Sequence, residues 1–136
     1  MSEILALLHA GLLVGDLARA KRFYETVLGL VPSPSRPDLP YPGEWYDLPD
    51  GRQLHLMNLP NPDAHAVRPP HGGRDRHIAL GVFAIAPLKA RLDAAGVANT
   101  VSQSGRAALF CRDPDGNTLE FVETEKKALI SPVKSP

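Results

Sequence analysis

The strongest constraint on this chain is that it is written twice. "LLHAGLLV", Leu7 to Val14, matches "DRHIALGV", Asp75 to Val82. Each is a short apolar run with one histidine near its start, and His9 and His77 lie 68 residues apart. An amphipathic helix is expected after each run. In the first copy Leu17, Ala20, Phe23, Tyr24, Val27 and Leu28 keep the i, i+3, i+4 spacing, with Asp16 placed as the N-cap and Gly29 just past the end. In the second, Pro87 sits near the start, where its missing N–H costs nothing, Leu88, Leu92 and Ala95 form the stripe, and Gly96 ends it. Each copy continues with an extended stretch and a hairpin. "EWYDLPDGRQLHLMN" and "ALFCRDPDGNTLEFVE" both read as strand, Pro-Asp-Gly turn, strand. The last strands carry His55 and Glu120 at matching places, 65 residues apart, each between apolar neighbours.

The expected order is therefore strand, helix, strand, strand, strand, twice over. It defines an α+β fold of two pseudo-symmetric βαβββ modules, residues 4–59 and 76–123, within a single domain of 136 residues. Residues 60–75 hold four prolines and two glycines and read as a linker, while 124–136 reads as a loose tail. Fifteen basic and fifteen acidic residues give no net charge, which argues against a nucleic-acid partner that would need a basic face. The single cysteine, Cys111, excludes an internal disulfide framework and is expected to be a buried, inert thiol. The apolar opening "MSEILALLHAGLLVG" lacks a basic leader region and carries Glu3 and His9, so it reads as a buried strand. No apolar run reaches the roughly 18 residues that span a bilayer. The expectation is a cytoplasmic protein with no membrane partner.

Four polar residues interrupt the apolar strands: His9, His55, His77 and Glu120. Each copy gives one from its first strand and one from its last, and a pseudo-two-fold axis would make them converge. The residues two further along the first strands, Gly11 and Ala79, share the histidines' faces and leave room for a ligand. A single histidine in a strand is ordinarily a hydrogen-bonded core or rim residue. Four residues of metal-ligand type at four equivalent places are harder to explain as separate accidents. Burying an unpaired carboxylate costs several kcal/mol. A divalent cation removes that cost, and imidazole with carboxylate suits Zn, Ni, Co, Mn or Fe.

The doubled module, and above all "DLARAKRFYETVLGL" and "FCRDPDGNTLEFVE", resembles the vicinal oxygen chelate superfamily over about residues 4 to 123. That group includes glyoxalase I, methylmalonyl-CoA epimerase, fosfomycin-resistance thiol transferases, extradiol dioxygenases and bleomycin-binding proteins. The resemblance implies sheets curled into a cup around one divalent metal, with His9, His55, His77 and Glu120 as its ligands. It further implies a lyase or isomerase that chelates a small oxygenated or thiol-conjugated substrate and stabilises an enolate or oxyanion, with Glu120 as the base. Four protein ligands in an octahedral site leave two adjacent open positions, which suits bidentate chelation. An extradiol-type Fe(II) dioxygenase is the alternative. It would use His9, His77 and Glu120 as a facial triad and leave His55 off the metal. A non-catalytic drug-binding or resistance protein is a third reading, though it has no need of four converging ligands. Arg106, Gln53 and Trp45 are the candidate substrate contacts, Arg106 for an anionic group and Gln53 for a hydrogen bond. His65 and His71, in the linker, are expected to be solvated. Exposed sheet edges point to a homodimer. The sequence leaves open whether the site lies within one chain or is shared between two.

Overall fold

The computed structural model describes residues 2–125, and the expected tail falls mostly outside them. The second copy folds as the βαβββ order requires, and the first follows it one strand short. Strand β1 (His9–Leu13) leads into helix α1 (Leu17–Lys21), which runs on as a π-helical turn over Arg22–Val27. Asp16 caps α1, its carboxylate accepting from the Arg19 N–H at 3.0 Å. Strands β2 (Gly43–Asp47) and β3 (Gln53–Met57) form the first hairpin. In the second copy, β4 (Ile78–Val82) leads into α2 (Ile85–Ala94), followed by β5 (Asn99–Val101), β6 (Ala108–Arg112) and β7 (Thr118–Glu123). Both Pro-Asp-Gly turns need a left-handed residue, and glycine supplies it: φ is +85° at Gly51 and +83° at Gly116.

The strands lie in the order β1-β3-β2 in one sheet and β4-β7-β6-β5 in the other. The outer pairs, β1 with β3 and β4 with β7, are parallel, and the hairpin pairs are antiparallel. The sheets differ by one strand because the extended stretch of the first copy is reduced to an isolated bridge between Pro32 and Tyr46. Its sequence explains why. Pro32, Pro34, Pro37, Pro40 and Pro42 remove five ladder donors between Gly29 and Gly43.

Alternation decides which way each strand faces. Leu54 and Leu56 of β3, Leu119 and Phe121 of β7, and Leu109 and Cys111 of β6 point into one core with Ala20, Phe23 and Tyr24 of the first helix and Leu88 and Leu92 of α2. Tyr24 is fully buried, and its hydroxyl donates to Asp113 Oδ2 at 2.7 Å, tying the first helix to the second hairpin's turn. Asp113 also accepts from the N–H groups of Asp115 and Asn117, so this buried carboxylate organises the "DPDGN" turn. Burial pushes its pKa up, while these hydrogen bonds act the other way. The Cys111 thiol is buried and pushed up to about 12, as expected of an inert thiol. The opening segment departs from expectation. Ile4, Leu5, Leu7 and Leu8 are 58–94% exposed, and none of the described residues covers the stretch before β1. Among the described residues, no helix is long and apolar enough to cross a membrane.

Candidate functional site

The faces turned away from the core carry the polar residues. On the first sheet the register sets Gly11 beside His55 and Trp45 on its other side, with His9 next to Gln53. On the second it sets Ala79 beside Glu120 and Phe110 on its other side. The 65-residue offset that pairs His55 with Glu120 also pairs Trp45 with Phe110 and Gln53 with Thr118. Phe110 is not among the candidate site residues read from the sequence, although that offset marks it.

The first sheet's donors form a stack. The His55 ring lies between Trp45, at 3.9 Å and 1° between planes, and His9, at 4.1 Å and 16°. Burial, with help from His9 and Arg36, holds the His55 imidazole down to about 4, so it is neutral at ordinary pH. Gln53, expected to meet substrate, is engaged instead with its neighbours. Its amide nitrogen donates to Asp47 Oδ1 at 2.7 Å and Ser35 Oγ at 3.1 Å, which turns its oxygen to His55 Nε2 at 2.9 Å. That contact assigns the ring proton to Nε2 and leaves Nδ1 with the lone pair. An outer partner fixing the tautomer of a neutral histidine is the arrangement that metal-ligating imidazoles use.

The second sheet's donors form a charged cluster. Glu120 is 3% exposed. Its Oε1 lies 3.3 Å from His77 Nε2, and its Oε2 accepts from Arg106 Nη2 at 2.8 Å. Arg106, the candidate contact for an anionic group, lies in the loop before β6 and reaches Glu120. His77 Nδ1 lies 2.8 Å from the Asp75 carbonyl oxygen, which can only accept, so Nδ1 carries the proton. In the neutral ring Nε2 then turns a lone pair toward a carboxylate oxygen. Two electron-rich atoms at that separation call for a cation, either a proton on Nε2 or a divalent ion. Asp75 is itself held by Arg112 at 2.8 Å and by Arg68 at 3.3 Å, and the Arg112 contact brings its carboxyl down to about 2. Phe110 packs edge-on against His77 at 5.3 Å. His71, expected to be solvated, is half-buried. It packs edge-on against Phe110 at 5.0 Å and lies 2.9 Å from Thr100 Oγ1. His65 is exposed as expected.

The four candidate donors thus come together as two pairs, His9 with His55 and His77 with Glu120. Among the described residues, no three His, Cys, Asp or Glu side chains come close enough to hold one ion. Each pair offers imidazole or carboxylate donors of the kind that suit a divalent ion.

A doubled βαβββ unit with open, curled sheets bearing imidazole and carboxylate is a glyoxalase-type fold. The chain belongs to the Glyoxalase/Bleomycin resistance protein/Dioxygenase superfamily, whose family model matches residues 6–121. It is 31% identical to a lactoylglutathione lyase of Haemophilus influenzae over 126 residues, 88% of this chain and 93% of that protein. A putative glyoxalase family protein of Bacillus anthracis superposes with a TM-score of 0.71 at 23% identity, covering 92% of this chain and 99% of the other. The trypanothione-dependent glyoxalase I of Leishmania major superposes at 0.66 with 26% identity, covering 88% and 87%.

Proposed function

We propose that the protein is a divalent-metal-dependent lyase or isomerase of glyoxalase type, acting on a small oxygenated or thiol-conjugated substrate, with each site shared by two copies of the chain. The observation that carries the reading is the division of the donors. His9 and His55 lie on one open sheet face and His77 and Glu120 on the other, at register-equivalent positions, with each pair incomplete alone. A homodimer that apposes the first sheet of one copy to the second sheet of the other assembles all four donors, twice.

In this reading the neutral His55 presents Nδ1 and His77 presents Nε2, each ring fixed by the acceptor on its other nitrogen. His9, His55, His77 and Glu120 would hold the divalent ion, which would supply Lewis acidity at a substrate oxygen. Glu120 takes the substrate proton on a carboxylate oxygen and returns it. Trp45 and Phe110 flank the donors and exclude water from the reacting centre. Support for the lyase assignment comes from the Haemophilus relative, so turnover of lactoylglutathione is the first assay.

Chain complementation tests both the ligands and their sharing. A His9→Ala/His55→Ala chain and a His77→Ala/Glu120→Ala chain are each expected to bind less than a tenth of the parent's divalent metal and to lose turnover. Mixed and refolded together, they are expected to regain up to one intact site per mixed dimer. No recovery of metal or turnover, with both chains folded and dimeric, sinks the shared site. Parent-like metal content in either separate chain sinks the ligand assignment.

One observation favours a second reading. Because Gln53 and the stacked rings hold His55, a centre built from His9, His77 and Glu120 alone would leave three open positions, the arrangement of an Fe(II) dioxygenase. Oxygen uptake with catechols and unchanged metal content in His55→Ala would select it.

A further inference from the structure

Arg106 is where the candidate site departs furthest from its sequence expectation. Glu120 is the only carboxylate among the four donors, and it is buried. The cation that offsets this charge comes from outside the sheet. Arg106 belongs to the exposed turn between β5 and β6, beside Gly105 at φ +82°, and its side chain is 59% exposed although its Nη2 reaches Glu120 Oε2 at 2.8 Å. The other oxygen faces His77, so both oxygens of Glu120 are engaged. The first copy has no such pair, since the residue 65 positions before Arg106 is Tyr41 and the counterpart of Glu120 is the neutral His55.

This geometry has a definite consequence for any cation that binds Glu120. A divalent ion approaching from the open face meets a carboxylate whose Oε2 is already paired with a permanent positive charge, because an arginine cannot shed its proton. Ion and guanidinium would repel each other at that range, and the oxygen lone pairs cannot serve both at full strength. The arginine is the partner able to leave. Its stem is in water, residues 103–107 of its turn are exposed, and a hydrated guanidinium regains solvent when it swings out. The carboxylate cannot leave, because it is held in a central strand between β4 and β6.

We infer that Arg106 is a displaceable counter-cation: it holds Glu120 when no other cation does, and a divalent ion must evict it, so Arg106 sets the metal affinity of the half-site. This rests on Glu120 being a ligand, as proposed above, and makes Arg106 a positioning residue rather than a ligand. It also accounts for how an ionised carboxylate can stay in place in the sheet before the ion arrives.

The test measures Zn²⁺ affinity by chelator competition for the full chain, Arg106→Gln and Glu120→Gln, together with the shift in melting temperature each gains from Zn²⁺. Arg106→Gln is expected to bind Zn²⁺ at least tenfold more tightly than the parent. It is also expected to melt at a lower temperature without metal and to gain a larger shift with it. Glu120→Gln is expected to bind at least tenfold more weakly than the parent. Equal or weaker binding by Arg106→Gln, with Glu120→Gln impaired, overturns the inference while leaving the ligand assignment standing. Parent-like binding by Glu120→Gln overturns the ligand assignment and this inference with it. Should Arg106→Gln fail to fold, a crystal structure of the parent with Zn²⁺ decides. Arg106 turned out into solvent supports the inference, and a retained contact of about 2.8 Å to a zinc-bound Glu120 overturns it.

Discussion

At the residue scale, the sequence located the polar interruptions but not their orientation. His9, His55, His77 and Glu120 were visible because each breaks an apolar alternation, and the registers of β1 with β3 and β4 with β7 put them on the faces expected of them. What their side chains touch was not legible. The tautomers of His55 and His77 are set by Gln53 and by the Asp75 carbonyl, and no one-dimensional pattern records a carbonyl's direction. Arg106 reads from the sequence as a contact for an anionic substrate group, and its pairing with Glu120, 14 residues away, was not legible. His55 offers a stability test at this scale. Its folded pKa is near 4 and its ordinary value is 6.5. Between those values the unfolded chain takes up a proton that the folded chain refuses, so stability is full above about pH 6.5 and is lost as pH falls toward 4. The loss is expected to be about 1–3 kcal/mol. Melting temperatures across that window should fall in the parent and fall less in His55→Gln. Identical slopes would mean that His55 is protonated normally.

At the scale of elements, the helices and hairpins were legible because their signals are local. Asp16 caps the first helix, Gly29 and Gly96 follow the two helices, and both Pro-Asp-Gly turns form as read. The departures have local causes too, but of kinds that periodicity does not carry. Five prolines reduce one expected strand to a bridge, and the first helix changes from α to π winding at Arg22 while keeping Phe23 and Tyr24 buried. The tie between Tyr24 and Asp113 joins elements from opposite copies, 89 residues apart. Tyr24→Phe keeps the ring's packing and removes one donor from a buried carboxylate, so it is expected to cost about 1–3 kcal/mol in chemical denaturation. A loss below about 0.5 kcal/mol would mean that Asp115, Asn117 and water satisfy Asp113 without it.

At the scale of the molecule, the duplication fixed two sheets and a shared core, and both are present. The cup was the less legible part. Pseudo-symmetry says that the two faces are equivalent, and it does not say whether they belong to one cup or to two. One core joins residues of both helices and both sheets, while His9 and His77 stay exposed. The exposed apolar stretch leading into β1 adjoins the face that carries His9, and a second copy is the partner that the proposed site already requires. Sedimentation of the parent is expected to give a species of twice the chain mass. Leu5→Lys/Leu7→Lys is expected to weaken that association at least tenfold and to lower metal content in parallel. A parent that sediments as a single chain, with metal bound, would place the centre within one copy.

The separation of the donors onto two sheets also shapes how defects would be inherited. With sites shared as proposed, a chain damaged on one sheet alone spoils one of the two sites in a mixed dimer, and its healthy sheet completes the other. A chain damaged on both sheets silences every dimer it joins, including the good copy's share. Random pairing then leaves about a quarter of the sites intact whether the two lesions fall on one gene copy or on two, whereas sites held within single chains would leave about half in the first case and none in the second.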